Sequence, residues 1–272
     1  VVLYPALLLV RASFSRYSVT GLYQGPTGLG NYVRLFAQPD LATVVANTGT
    51  WVVTIVLVTM LISLALAHVL NESFPGRRLA RWALIVPWAA PLIMTSKLFV
   101  WIYDYYFGIL NRILVELHLL DQPVDWLGQD GTVMGAMIAV GIYVSLPFTS
   151  YVLLAGLQSI AKDVYEAARV DGASAWQTYR AVTLPLLRPA LLVAGVLNTV
   201  YVFNSFPIVW TLNDRNPGFQ HDTMITYMYK IAFKSALRDV GVAAALGVVN
   251  VLAILVAVTV YLRTVRWREE AA

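Results

Sequence analysis

The groups able to do chemistry in this sequence are few and scattered. Three histidines, His68, His118 and His221, stand far apart, without the spacing that gathers metal ligands, and no H-E-x-x-H run is present. A G-x-x-x-x-G-K-[ST] phosphate loop and a G-x-S-x-G nucleophile turn are both absent. Cysteine is missing altogether, which removes disulfides and thiolate metal sites. What remains is recognition chemistry. Tyr143, Ser145 and Thr149 surround Pro147 in one apolar segment, and Asn198, Tyr201, Asn204 and Ser205 share another. Hydroxyls, amides and aromatic faces of this kind suit a polyhydroxylated solute, and they serve equally to hydrogen-bond one buried helix to the next. A second group, Glu166, Arg169 and Asp171, lies in a polar stretch able to make oriented contacts with another protein.

The elements that must position these groups are set by the solvent. Of 272 residues, 59% are hydrophobic and 12% charged, too few to cover a globule in water, so most of the chain lies in lipid. The net charge of +4 comes from basic residues dispersed between apolar runs, with no stripe of the kind that nucleic acid requires. Long apolar segments fall at about 44–70, 79–103, 132–158, 186–209 and 240–262, each near the ~20 residues that span the hydrocarbon core. The run at 1–10 is about half that length. It is read as the end of a first span, 1–14, that begins upstream. Segments this long satisfy their backbone in lipid only as helices, so the expected class is an all-α integral membrane protein of six spans with local kinks at Pro87, Pro91 and Pro147.

Loop charge gives the orientation. Arg77, Arg78 and Arg81 crowd one connection, Lys162, Arg169, Arg180 and Arg188 another, and Arg263, Arg266 and Arg268 the C-terminus, which places all three in the cytoplasm. The 104–131 connection, acidic except for Arg112, belongs outside. The 212–239 loop must also be outside, yet it carries Arg215, Lys230, Lys234 and Arg238 beside three aspartates. Its 224–233 stretch, with Tyr227, Tyr229 and Phe233, is expected as a short interfacial or re-entrant helix. Lys97, inside an apolar segment, is expected to snorkel toward Asp104. Small residues four apart, Gly135 and Ala139, Gly141 and Ser145, Gly241 and Ala245, predict close helix packing.

The stretch 159–189 is too polar to span and too long for a minimal turn. Asp163 with Glu166 three residues on predicts a capped helix that stops at Gly172; Ser174 with Gln177 predicts a second, limited by Pro185. Here the residues resemble a known pattern. Glu166-Ala167-Ala168, Gly172, then Val182, Leu184 and Pro185 match the E-A-A-x3-G-x9-I-x-L-P loop of ABC importer permeases, with Val in place of Ile. The surroundings resemble the carbohydrate branch: Gly30-Asn31-Tyr32, Pro87-Trp88, Asp104 with Phe107-Gly108-Ile109-Leu110-Asn111, 153–160, and Gly241-Val242-Ala243-Ala244-Ala245. The sequence departs from that branch at Asp214-Arg215-Asn216-Pro217-Gly218, where Gly-Gly-Pro is common.

The resemblance implies a six-helix permease bundle in a bacterial or archaeal cytoplasmic membrane, its C-terminus inside, with a coupling loop at 159–185 that docks on a separate ATP-binding-cassette subunit through Glu166, Ala167, Ala168, Asp171, Gly172, Leu184 and Pro185. It also implies a second homologous permease, an extracytoplasmic solute-binding protein, and a sugar or sugar-like solute passing near Tyr201, Asn204 and Ser205. No cofactor is expected in this chain, since ATP and Mg belong to the partner. From the residues alone, an ion-coupled secondary transporter and a non-transporting membrane scaffold remain open readings, though no buried acidic relay marks an ion path.

Overall fold

The computed structural model describes residues 3–214, 216, 218–234 and 238–266. Residues 1 and 2, Arg215, Pro217 and Arg268, on which some expectations rested, lie outside the described residues. Helix α1 (Leu3–Ser13) runs into an antiparallel hairpin, β1 (Ser15–Tyr17) and β2 (Tyr23–Pro26), with Ser15 opposite Pro26 and Arg16 opposite Gly25. There follow α2 (Gly30–Phe36), the long α3 (Leu41–Asn71), α4 (Arg77–Ala89), α5 (Leu92–Ile102), α6 (Ile109–Glu116) and a second long helix, α7 (Asp130–Gln158). The rest comprises α8 (Lys162–Val170), α9 (Ala175–Thr178), a π-helical turn (Tyr179–Thr183), α10 (Leu184–Leu186), α11 (Arg188–Phe203), α12 (Phe206–Leu212), α13 (Met224–Tyr229) with another π turn (Lys230–Lys234), and α14 (Val240–Arg266). The class is helical as the composition requires; the hairpin is an addition.

α3 and α7 form the axis of the molecule, and α11 packs against both. Lipid is as apolar as the side chains, so close van der Waals contact must hold such a pair together. Gly141 supplies it: Ile55 and Trp51 sit where its side chain would be. Trp51 buries its ring there and donates its Nε1–H to the Val202 carbonyl at 3.0 Å, tying α3 to α11. α7 continues through Pro147, and at the residue just before it the Leu146 carbonyl accepts the Ser63 hydroxyl of α3 at 3.4 Å.

Two of the expected spans are broken. In 79–103 the backbone is extended at Ala90 and Pro91, because proline excludes the helical conformation from the residue before it, and helices of 13 and 11 residues result. In 186–209 the break lies at Asn204 and Ser205. Ser205, at φ −78° and ψ 61°, forms an inverse γ-turn closed by a Phe206 N–H to Asn204 carbonyl bond of 2.8 Å, and Pro207 opens α12 beyond it. Among the described residues, α3, α7 and α14 are long and apolar enough to cross a membrane, and α9–α10 with α11, bent by 60°, would make a fourth.

The hairpin end of α3 is locked by contacts between residues distant in sequence. Buried Asn31 donates from Nδ2 to the Ser13 and Ser15 carbonyls, each at 2.8 Å, and Gly241 of α14 lies flush against it. Arg34 pairs with Asp239 across the same junction. Asn111 closes the 104–131 connection: its Oδ1 accepts from the Val124 N–H and Trp126 Nε1–H, and its Nδ2 donates to the Val124 carbonyl. Asp222, buried, pairs with Lys230 at 2.7 Å, and burial together with Asp40 and Asp222 nearby pushes the Tyr227 hydroxyl up to about 12. Of the basic residues in the 212–239 loop, Lys230 is thus paired inside the fold. Lys97 is exposed on α5, and Asp104 Oδ1 accepts the Tyr106 and Phe107 N–H groups.

Candidate functional site

At the opposite end of α3, the 159–189 stretch folds as two short helices with a sharp reversal. The expected cap at Asp163 is corrected: Ala161 takes the N-cap position, and Asp163 lies inside the first turn of α8, where its charge favours the positive helix end. The stop is as expected. Gly172 adopts φ +75°, its N–H reaches the Arg169 carbonyl, and the Ala173 N–H reaches that of Ala168, the bonding of a Schellman motif that only a left-handed residue completes. Ser174 then opens α9 with a reciprocal capping box to Gln177. Pro185 does not end the second helix. The π turn immediately before it widens the backbone, so a residue without an N–H is accommodated and the chain bends only after Leu186.

The loop rests on the end of α3 across a cleft of ≈ 630 Å³ lined by His68, Glu72, Tyr165, Glu166, Arg169 and Tyr179. The His68 ring meets Tyr179 edge-on at 5.2 Å while its Nδ1 bonds the Leu64 carbonyl at 2.8 Å, so this histidine is a strut between α3 and the π turn. His221 is engaged with Asp130 at 2.9 Å at the other end of the molecule.

Within the loop, Glu166, Ala167, Asp171 and Gly172 are exposed, Ala168 faces inward, and Leu184 and Pro185 are half-buried. Beside them Val170 is 87% exposed and Trp176 68%. The sequence marks Trp176, with Tyr179, as the apolar side of the second helix, but Val170 was not singled out; a large apolar residue inside an otherwise polar loop was the available signal. Together α8 and α9 thus leave charged groups, Ala167, Gly172, Val170 and Trp176 uncovered on one loop.

The second set of residues is divided. Ser145, Thr149, Asn198 and Ser205 are buried between helices, Thr149 donating to the Ser145 carbonyl at 2.9 Å. Tyr143, in edge contact with Phe99, and Tyr201 keep part of their surface open, and Asn204 is exposed while its Nδ2 caps the Val200 carbonyl at 2.8 Å. Of these seven, only Tyr143, Tyr201 and Asn204 therefore present themselves outside the chain. At the break itself the Asn204, Ser205 and Phe206 N–H groups bond the Val200, Val202 and Asn204 carbonyls.

A helical membrane bundle with broken helices and a polar loop ordered by its own bonds has the form of a transporter permease. Residues 59–269 match the family of binding-protein-dependent transport system inner membrane components. A probable ABC transporter permease protein of Brucella suis biovar 1 (strain 1330) is 39% identical over 86% of this chain and 80% of its own. The trehalose/maltose transport system permease protein MalF of Thermococcus litoralis is 33% identical over 89% and 81%. The solved structure of a bacterial ABC transporter involved in the import of the acidic polysaccharide alginate covers 98% of this chain and 90% of its own, with a TM-score of 0.83 and 25% identity. The chain belongs to the binding-protein-dependent transport system inner membrane component family and is a permease subunit of an ABC importer.

Proposed function

We propose that the chain forms one half of the translocation path of an ABC importer for a sugar or sugar-like solute. A second homologous permease forms the other half, and ATP-binding-cassette subunits dock at the 159–185 loop on the cytoplasmic side, where the C-terminus also lies. An extracytoplasmic solute-binding protein delivers the solute at the hairpin end. ATP and Mg are held by the docked subunits, and this chain breaks no bond. Its part is mechanical: the loop transmits their closure through the π turn into α11, and the break at Asn204 and Ser205 lets the far part of that segment tilt separately. Tyr143, Tyr201 and Asn204 offer an aromatic face and hydrogen-bonding groups to sugar hydroxyls.

The carrying observation is the loop itself, ordered by its own Schellman motif and capping box yet exposing Val170 and Trp176. The test is mild detergent extraction of the tagged chain, mass spectrometry of stoichiometric partners, and uptake assays with labelled di- and oligosaccharides. Recovery of an ATPase and a second permease, with saturable sugar uptake, is expected. A chain that stays alone in several mild detergents would overturn the assembly, and an intact assembly that moves only non-sugar solutes would overturn the solute class.

A further inference from the structure

Between the hairpin, α2 and the start of α14 lies an open groove of ≈ 1000 Å³ into which Arg16, Arg34 and Arg238 converge. Ser18, Thr20 and Gln24 line its walls, and Tyr227, Ile231 and Val242 its floor. Arg34 is spent on Asp239, but Arg16 and Arg238 make no ion pair among the described residues. The groove sits at the end of α3 opposite the coupling loop, on the side where unpaired arginines are disfavoured in a membrane protein. Two free guanidinium groups on that side therefore need an anion from elsewhere.

The outer flank of α2 says which kind. The helix and its C-terminal end turn Arg34, Ala37 and Gln38 to the groove, while Val33 and Phe36 with the N-cap Leu29 share another face and are exposed, and at the hairpin Val19, Leu22 and Tyr23 are exposed as well. α1, which carries the hairpin, packs against α14 and is otherwise open on nearly every side, so the groove stands at the periphery of the chain, where lipid reaches it. Apolar side chains turned outward beside a basic, hydroxyl-lined cleft match a molecule with a charged phosphate and acyl tails.

We infer that this groove binds the headgroup of an anionic phospholipid, with Arg16 and Arg238 on its phosphate, Ser18, Thr20 and Gln24 on its polar oxygens, and the Leu29, Val33, Phe36 face against its acyl chains. The site goes beyond the transport reading and rests on it only for which end of the chain faces out of the cell.

The assembled transporter is placed in nanodiscs of phosphatidylglycerol and phosphatidylcholine at one to four, and retained lipid is measured by native mass spectrometry after release. Wild type is expected to keep phosphatidylglycerol selectively. Arg16→Gln with Arg238→Gln should lower that retention about thirtyfold, since each basic side chain near a lipid surface contributes of the order of a five- to tenfold preference. Arg16→Lys with Arg238→Lys, which conserves charge, should restore most of it and guards against a mere folding lesion. Millimolar inorganic phosphate should not displace the lipid; if it does, the groove is a phosphate site and the inference fails. Equal retention of the two lipids by wild type would also overturn it. Unchanged lipid retention in the Gln variant with lost association of the solute-binding protein would reassign the groove to protein docking.

Discussion

The two ends of the α3–α7 axis are built on opposite plans. At the hairpin end, order comes from side-chain contacts across the chain: Asn31 with the hairpin carbonyls, Arg34 with Asp239, Asn111 with Val124 and Trp126, joined by Asp222 and Lys230 as a buried pair within one loop. At the end that carries the 159–189 stretch, the order of that loop comes mainly from neighbours in sequence, through the Schellman bonds at Gly172 and the capping box at Ser174, with His68 of α3 braced on Tyr179. One end closes its buried polar groups on one another, around a groove and apolar side chains that stay open. The other is shaped in advance from local bonds and leaves Val170 and Trp176 uncovered.

The sharpest way to break this contrast is to remove one member of the buried pair. Asp222→Ala leaves Lys230 without its counter-ion and should cost about 3–5 kcal/mol, read as a lowered thermal transition of the purified transporter. If that loss were absent, the hairpin end would not be closed on its buried polar groups. Next in size is Asn111→Ala, which strands the Val124 N–H and the Trp126 indole N–H; a cost of about 2 kcal/mol is expected in the same measurement. Gly172→Trp works the other way round. A Cβ at Gly172 meets no atom of this chain within 4 Å, and the strain of a side chain at φ +75° falls on the loop alone, so membrane insertion should survive, while uptake falls about tenfold or more and ATP hydrolysis runs uncoupled. Normal uptake would remove the docking role from the loop. The smallest effect is expected of Ser174→Ala, which deletes the capping box for about 1 kcal/mol of local helix stability and should appear as faster amide exchange in 175–178 with little change in the melting of the whole.

The same contrast decides what could be read from sequence. Gly172 and the Ser174–Gln177 cap were legible because both ends of each bond lie within five residues, and Glu166-Ala167-Ala168 stood in a fixed register to them. Asp163 misled because a residue able to cap stood two positions after Ala161, which the chain actually uses. Pro185 misled because the π turn that tolerates it has no residue signature of its own. The hairpin was invisible: its strands are three and four residues long, without polar–apolar alternation, and are held by Asn31 from the next helix. Among the solute-path residues, sequence supplied polar groups on two helices but not which side of each helix faces out. Burial of Ser145, Thr149, Asn198 and Ser205 depends on the approach of α3 and α11 to α7, a matter of tertiary geometry.

The π turn at Tyr179–Thr183 has a further meaning if the chain is considered as a screw. An α-helix advances about 100° per residue, and a π turn takes up one residue more per revolution than its neighbours. The surplus residue is thus taken up inside one wider turn, and the helix on either side keeps its angular setting. Deleting Ala181 would let the backbone close into ordinary helix with the loop aimed as before, whereas one further residue inserted there, which the wide turn cannot also absorb, would rotate everything before it by about 100°. The shortened transporter should keep its ATPase through co-purification and the lengthened one should lose it, because torque can pass from motor to membrane only when the two threads are cut in phase.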